Sequence, residues 1–263
     1  MAEYVGPDSV VAVQKALRAR TADLATQPLL SNGGRMLNIL EADAYGWDRV
    51  RAEVQTYGYV GLTKVSRDTT LARLAQDFGP NADFPHWDVF TGQAEPVTTA
   101  CRAIVGSYNL PRDWKLIHET MPDDQLIEAA QSVNLAAGVQ SPPAYYLRSD
   151  FMPSMLTALI DGSGGMVACA SGNMRYHADG PMAGGMFAGG VSVAEVHRRK
   201  GLGALVNAAL LVESQRVLGW THVLEQARAT NLASVAMIEH CGLMSWPGVV
   251  TCMVNIGTGF QTR

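Results

Sequence analysis

The spacing of apolar positions changes sharply near residue 194. Before that point, residues 188–193 are small or β-branched and end in Val191-Ser192-Val193, a pattern that predicts a buried strand. After it, Leu202, Leu205, Val206, Ala209 and Leu210 recur at helical spacing, and Gly219 marks the stop. A second helix is predicted over 231–242: Asn231 suits the N-cap, Leu232, Val235 and Ile238 share a face, and Gly242 suits the position past the end. Residues 221–227 read as a strand between the two.

The rest of the chain is less regular. Residues 7–25 open on Pro-Asp-Ser and place Val10, Val13, Leu17 and Leu24 roughly in helical register. Residues 37–57 predict a second helix interrupted at Gly46, and 68–78 a short third ending at Gly79-Pro80. Residues 78–96 are dense in turn formers and predict a loop pinned by Phe84, Trp87 and Phe90. A helix over 97–108 closes this half at Asn109-Leu110-Pro111. Beyond Trp114 the pattern predicts a strand over 115–119, a helix over 123–136 and a loop over 138–149. Of the 26 glycines, 11 fall within 161–203, which favours hairpins over helix there, with central antiparallel strands at 165–176 and 185–193. A turn at Trp246-Pro247-Gly248 leads to a last strand over 249–255.

The chemistry concentrates where the period changes. Arg198-Arg199-Lys200-Gly201-Leu202-Gly203 crowds three cations onto the start of a helix, which already carries partial positive charge and unpaired N–H groups. An anion at that place makes the arrangement favourable, and Gly201 and Gly203 let backbone amides approach it. The plain alternative is a solvated basic turn that happens to precede a helix.

Residues 193–204 resemble motif A of the GCN5-related N-acetyltransferases (GNAT superfamily), whose signature Arg/Gln-x-x-Gly-x-Gly/Ala stands here as Arg198-x-x-Gly201-x-Gly203. The 231–243 segment is similar to the family's Asn-x-x-Ala-x-x-Leu-Tyr-x-x-x-Gly-Phe, and the order strand, loop, helix, strand, helix is the family's. The resemblance implies an α/β fold for 112–263, with a mixed, mostly antiparallel sheet flanked by helices. An additional N-terminal region, 1–111, is expected to be mainly helical or a degenerate GNAT-like half of unknown role. It also implies that Val191, Ser192 and Val193 face the pantetheine arm of acetyl-CoA or another acyl-CoA. Arg198, Arg199, Lys200, Gly201, Leu202, Gly203 and Ala204 then face its diphosphate, with Asn231 and Ser234 on the second helix beside the cofactor. In the family the connection at 138–149 helps line the acceptor site, so Tyr145 and Tyr146 are expected as acceptor-pocket walls, with Arg148 nearby, although two tyrosines that simply pack read equally well.

The implied reaction moves an acyl group from a CoA thioester to an amine, most simply on a small molecule. The amine must lose a proton, the thioester oxygen needs a donor, and the leaving thiolate takes up a proton. The donor is expected from the backbone near 191–193. Many relatives carry a tyrosine as acid where this chain has Ile238, so the acid is missing; Cys241 and Ser234 lie near the same face. For the base, Glu225 is the only carboxylate on the strand beside the expected thioester; His177 and Asp179 stand at a strand end, and a water relay is a further route. A non-catalytic acyl-CoA-binding or sensor module is the alternative that Ile238 favours.

Composition narrows the classes. A net charge of −4 and a pI near 5.8 argue against nucleic-acid binding as the main role. No apolar run reaches a membrane span, and the N-terminus lacks a secretory pattern. Cys101, Cys169, Cys241 and Cys252 lie far apart without a C-x-x-C pair, and His86 has no His or Cys partner nearby. The expectation is a cytoplasmic protein without a metal or a membrane partner, with a homodimer left open.

Overall fold

The computed structural model describes residues 2–257. The first half runs through α1 (Asp8–Ala19), α2 (Thr21–Leu24), β1 (Leu30–Asn32), β2 (Leu37–Ile39), α3 (Ala42–Tyr45), α4 (Trp47–Tyr57), β3 (Tyr59–Ser66), α5 (Arg67–Phe78), β4 (His86–Gln93) and α6 (Ala94–Ser107). The second half adds β5 (Lys115–Glu119), α7 (Asp124–Ala136), α8 (Ala144–Leu147), β6 (Ser154–Ile160), β7 (Met166–Asn173) and β8 (Gly185–Val193). It ends with α9 (Leu202–Leu218), β9 (His222–Ala227), α10 (Leu232–His240) and β10 (Met244–Asn255).

The ten strands among the described residues form one sheet in the order β1-β2-β3-β10-β4-β9-β8-β7-β6-β5. Adjacent strands are antiparallel except β2 with β3 and β8 with β9. The expected mixed, mostly antiparallel sheet flanked by helices is present. Position 111/112 divides the chain but not the sheet. β4 of the first half inserts between β9 and β10 of the second and pairs with both, and β10 pairs in turn with β3.

Two apolar clusters hold this sheet. Helix α9 is apolar nearly all round, and Leu205, Val206, Ala208, Leu210 and Leu211 are all buried, as befits a helix enclosed on several sides. It lies against α6 and strands β6 to β8, and Trp220 at its exit donates its indole N–H to Ser214 Oγ at 3.1 Å. The second cluster joins α1, α4 and α5 to β1–β3 and β10 through Leu17, Leu37, Val50, Leu62 and Met253.

The structure departs from the sequence reading mainly in the first half. Residues 37–39 are strand, not the start of a helix: Leu37 and Ile39 alternate with Asn38, whose side chain occupies the space left by the missing Cβ of Gly61 on β3. The supposed loop 78–96 contains β4, held by ladders on both sides. Residues 59–66, which carried no prediction, form β3. The expected Trp246-Pro247-Gly248 turn is a bulge inside β10, where the register against β4 passes from Ser245–Phe90 to Val250–Asp88.

Candidate active site

β8 and β9 run parallel and pair only at Gly185/His222, Met186/Val223 and Phe187/Leu224. Beyond that point β8 continues to Val193 beside β7, while β9 continues beside β4, and the two strands splay. A bulge in β8 helps to turn it away: Gly190 and Val191 together stand against Ala170 alone between the pairs Ser171/Gly189 and Cys169/Ser192. Gly190 has φ +63°, a left-handed conformation open to glycine without strain.

The wedge opens into a cavity of about 430 Å³, with Gly189 to Val191 on one wall and Glu225 and Gln226 on the other. Met186 and Val223 pack on the α9 face, whereas Phe187 and Leu224 pack with Val89 and Tyr176 on the opposite face. Strand alternation therefore sends Glu225 to the α9 face. Through the gap the cavity reaches both faces: Ser234, Met237 and Ile238 of α10 lie on one, and Arg35, Tyr146, Asn173 and Arg175 on the other.

Glu225 is 3% exposed, and its Oε1 accepts a 2.8 Å hydrogen bond from Asn207 Nδ2 on α9. Burial pushes its carboxyl up to about 7, against the opposing pull of the Asn207 bond. The same Asn207 nitrogen lies 3.6 Å from Cys241 Sγ, whose backbone carbonyl accepts from the Cys101 thiol at 3.5 Å. That thiol is hydrogen-bonded to Cys241 and buried, which keeps it protonated. A carboxyl that titrates near neutrality on a cavity wall is suited to take a proton.

The basic loop follows β8 and leads into α9, and none of its residues lines the cavity. Arg198, Arg199 and Lys200 are exposed, and Arg198 Nε donates to the Val193 carbonyl at 3.2 Å. Arg199 has φ +62° and Gly201 φ +75°, with Lys200 of the opposite hand between them. Backbone of alternating hand turns successive N–H groups to one side, the geometry of an anion nest, here at the positive end of α9. Gly203, at the start of α9, lies beside two residues of the cavity wall: a Cβ there would stand 3.6–3.8 Å from Met237, Val193 and Val191.

Of the residues singled out from the sequence, Val191, Glu225, Asn231, Ser234 and Tyr146 line the cavity. Asn231 caps α10 by accepting from the Ser234 N–H at 3.2 Å. Ser192 is buried opposite Cys169, and neither it nor Val193, Arg198, Arg199, Lys200, Gly201, Leu202, Gly203 or Ala204 lines the cavity. Tyr145 is a correction. It is fully buried away from the cavity, its ring 5.4 Å from Phe151 and its hydroxyl donating to the Gln14 carbonyl at 3.3 Å, because the single turn of α8 sends adjacent side chains to different sides. Arg148 pairs with Glu3 and Asp124. His177 accepts from the Asp179 N–H in the turn after β7, off the cavity wall.

The sequence reading missed Asn207, Arg35 and Arg175. Asn207 had a signal: it is a polar residue inside the buried stripe of α9, where an amide needs a partner. The arginines had none, since their proximity arises from non-local pairing.

A family model described as the Acetyltransferase (GNAT) family matches residues 124–243. No curated protein is similar enough to the chain to count as a match. Among solved structures, a GCN5-related N-acetyltransferase from Kribbella flavida superposes with a TM-score of 0.59 at 14% identity, over 94% of this chain and 96% of that one. A Drosophila protein gives 0.59 at 15% identity, over 94% and 89%. A tandem GNAT protein from the clavulanic acid biosynthesis pathway gives 0.54 at 15% identity, over 87% and 78%. At these identities the likeness is one of fold.

Proposed function

We propose that this chain, whose residues 124–243 match the model of the Acetyltransferase (GNAT) family, is an acyl-CoA-dependent N-acyltransferase acting on the amine of a small molecule. The observation that carries this reading is the splay of β8 and β9 after Phe187/Leu224, with a titratable Glu225 on one wall and, where β8 leads into α9, a loop of alternating φ sign. The residues present fit an acyl-CoA: the nest and its three cations suit a diphosphate, and the edge of β8 left without β9 suits an amide-bearing arm. When bound, that co-substrate supplies an activated acyl carbon and a thiolate leaving group.

The protein's own contributions follow from the geometry. Glu225 accepts the amine proton, directly or through one water, and Asn207 fixes the carboxylate that does so. The β8 backbone beside the bulge offers donors to the developing oxyanion. Ile238 is 2% exposed and has no proton to give, so the thiolate is protonated by solvent, which its near-neutral basicity allows. Strand β4 and the β1–β2 connection place the first half of the chain against the acceptor side of the wedge.

Thiol release from acetyl-CoA over a panel of primary amines tests this, alongside direct titration with CoA. Release that depends on one class of amine is the expected result. Binding of CoA with no release on any amine would favour the sensor reading, to which Ile238 points. No affinity for CoA would end both.

The basic loop makes its own prediction. Replacing Arg198, Arg199 and Lys200 together by glutamine should weaken CoA binding about 30-fold at low salt. The deficit should narrow to about 3-fold at 0.5 M salt, because exposed charges are screened within a few ångströms there. Calorimetric titration at several salt concentrations reads both; a deficit independent of salt would place the diphosphate elsewhere.

A further inference from the structure

Among the described residues, three side chains of ordinarily charged type line the cavity, and they stand on opposite sides of the wedge: Glu225 on the α9 face, Arg35 and Arg175 on the other. Arg175 follows the end of β7, and its guanidinium lies 3.7 Å from the Phe187 ring centroid and 5.4 Å from that of Tyr176. Its Nε is buried without a hydrogen-bond partner, and among the described residues no carboxylate forms an ion pair with it. Burial pulls its pKa down, but its interactions with the Tyr176 and Tyr146 phenols more than offset this, so the charge is kept. Arg35 donates to Gln140 Oε1 and, although burial lowers its pKa to about 10, it too is cationic at neutral pH.

Two cations on one wall of a recessed cavity raise its potential and carry a desolvation cost that an incoming anion relieves. The two phenols do not neutralise them. The Tyr146 hydroxyl donates to Asn173 Oδ1 at 2.9 Å, which fixes that ring beside the cations. The Arg175 guanidinium interacts with the Tyr146 and Tyr176 phenols but leaves its buried Nε–H without a partner, a donor that a carboxylate can take up.

We propose that the acceptor is an amino-carboxylate whose carboxylate is bound by Arg175, supported by Arg35, and whose amine reaches through the wedge to Glu225. This rests on the acyltransferase reading and adds the substrate class. Phe187 under Arg175 pairs with Leu224, and Glu225 is the next residue, so the two backbone positions are separated by roughly one strand spacing of 4.8 Å and one residue step of 3.3 Å. The two side chains extend to opposite faces, a span that suits an acceptor whose amine and carboxylate are several bonds apart.

The test pairs acceptors that differ only in charge. Glycine, β-alanine, 4-aminobutyrate and the standard amino acids are each compared with their carboxamides, in thiol-release kinetics and in calorimetric binding to the full chain with and without CoA. The wild type should prefer the best carboxylate over its carboxamide by about 100-fold in kcat/KM, mostly through KM. In Arg175→Gln the ratio should collapse toward about 1, and Arg175→Lys should restore part of it. Circular dichroism and CoA affinity separate a loss of fold from a loss of selectivity.

A wild type that prefers carboxamides, or a selectivity unchanged by Arg175→Gln, overturns the proposal. If no amine is acylated, binding decides independently: Arg175-dependent binding of a carboxylate upholds the anion site while the acyltransferase reading fails, and no such binding ends the proposal.

Discussion

Glu225→Gln is expected to lower kcat by about 100- to 1,000-fold and, in the same protein, to raise the melting temperature at pH 8. The loss of rate follows from removing what is, among the described residues, the only carboxylate on the cavity wall, at the usual worth of a positioned base. The gain in stability follows from burial. The native carboxyl titrates at about 7 against an ordinary 4.5, because it sits in the interior with one amide donor and no cation. Below about pH 4 it is protonated in both folded and unfolded chains, and the native state keeps its full advantage. As pH rises from there through 7, the unfolded chain ionises first, and the native state comes to hold a buried charge. Stability is therefore lost progressively across that window, by about 3 kcal/mol in all. Glutamine has no charge to lose, so its unfolding free energy should stay level over the same range. The two denaturation curves should coincide near pH 4 and diverge by pH 8.

The pH–rate profile adds a separate check on the same residue. In the wild type, kcat/KM should climb about tenfold per pH unit below 7 and then flatten, since the base must be ionised to act. In Glu225→Gln that limb should vanish, leaving only the limb set by the amine's own titration. A variant within about 3-fold of wild-type rate would remove Glu225 from the mechanism. A variant without the stability gain at pH 8 would mean that Asn207 and the cavity already satisfy the charge.

What the sequence made legible was local. Helix α9 and its stop at Gly219, the Asn231 cap of α10 and the helix α7 all follow from periodicity, caps and glycine conformation within a few residues of each element. Glu225 was legible as a candidate because it is a carboxylate within an otherwise apolar strand pattern. Strand β4 was not, because Pro85 and Gly92 read as turn formers, while its partners Glu225 and Ser245 lie more than 130 residues further along the chain. Beyond Leu224, β9 has no strand partner among the described residues on its β8 side and is held only along its other edge, by β4. That strand comes from the first half, so a region without recognisable chemistry still closes the site. The facing arginines were hidden for the same reason: Arg35 and Arg175 are 140 positions apart and meet only in the finished sheet.

Gly201→Ala should weaken CoA binding by about 100-fold, although it adds a single methyl group at the surface. Two independent obstacles meet there. The residue has φ +75°, where a non-glycine residue costs about 1–2 kcal/mol. Its absent Cβ also points at Tyr108, whose hydroxyl donates to the Gly201 carbonyl at 2.7 Å; a methyl would overlap that oxygen and stand 3.3 Å from the ring carbon bearing it. The loop is exposed and α9 beneath it is buried, so the cheapest relief is for residues 199–201 to shift outward. That shift dissolves the alternating hand that gathers the amides. Tyr108→Phe alone removes one exposed hydrogen bond and should cost less than about 3-fold in affinity. Combined with Gly201→Ala it removes the overlap but leaves the backbone strain, and should recover about 10-fold of the lost affinity, a non-additivity that a double-mutant cycle measures. If Gly201→Ala binds CoA as tightly as the wild type, the amides at the start of α9 do not hold the diphosphate. If the double variant is no better than the single one, the loop is governed by its dihedral alone and Tyr108 plays no part in shaping it.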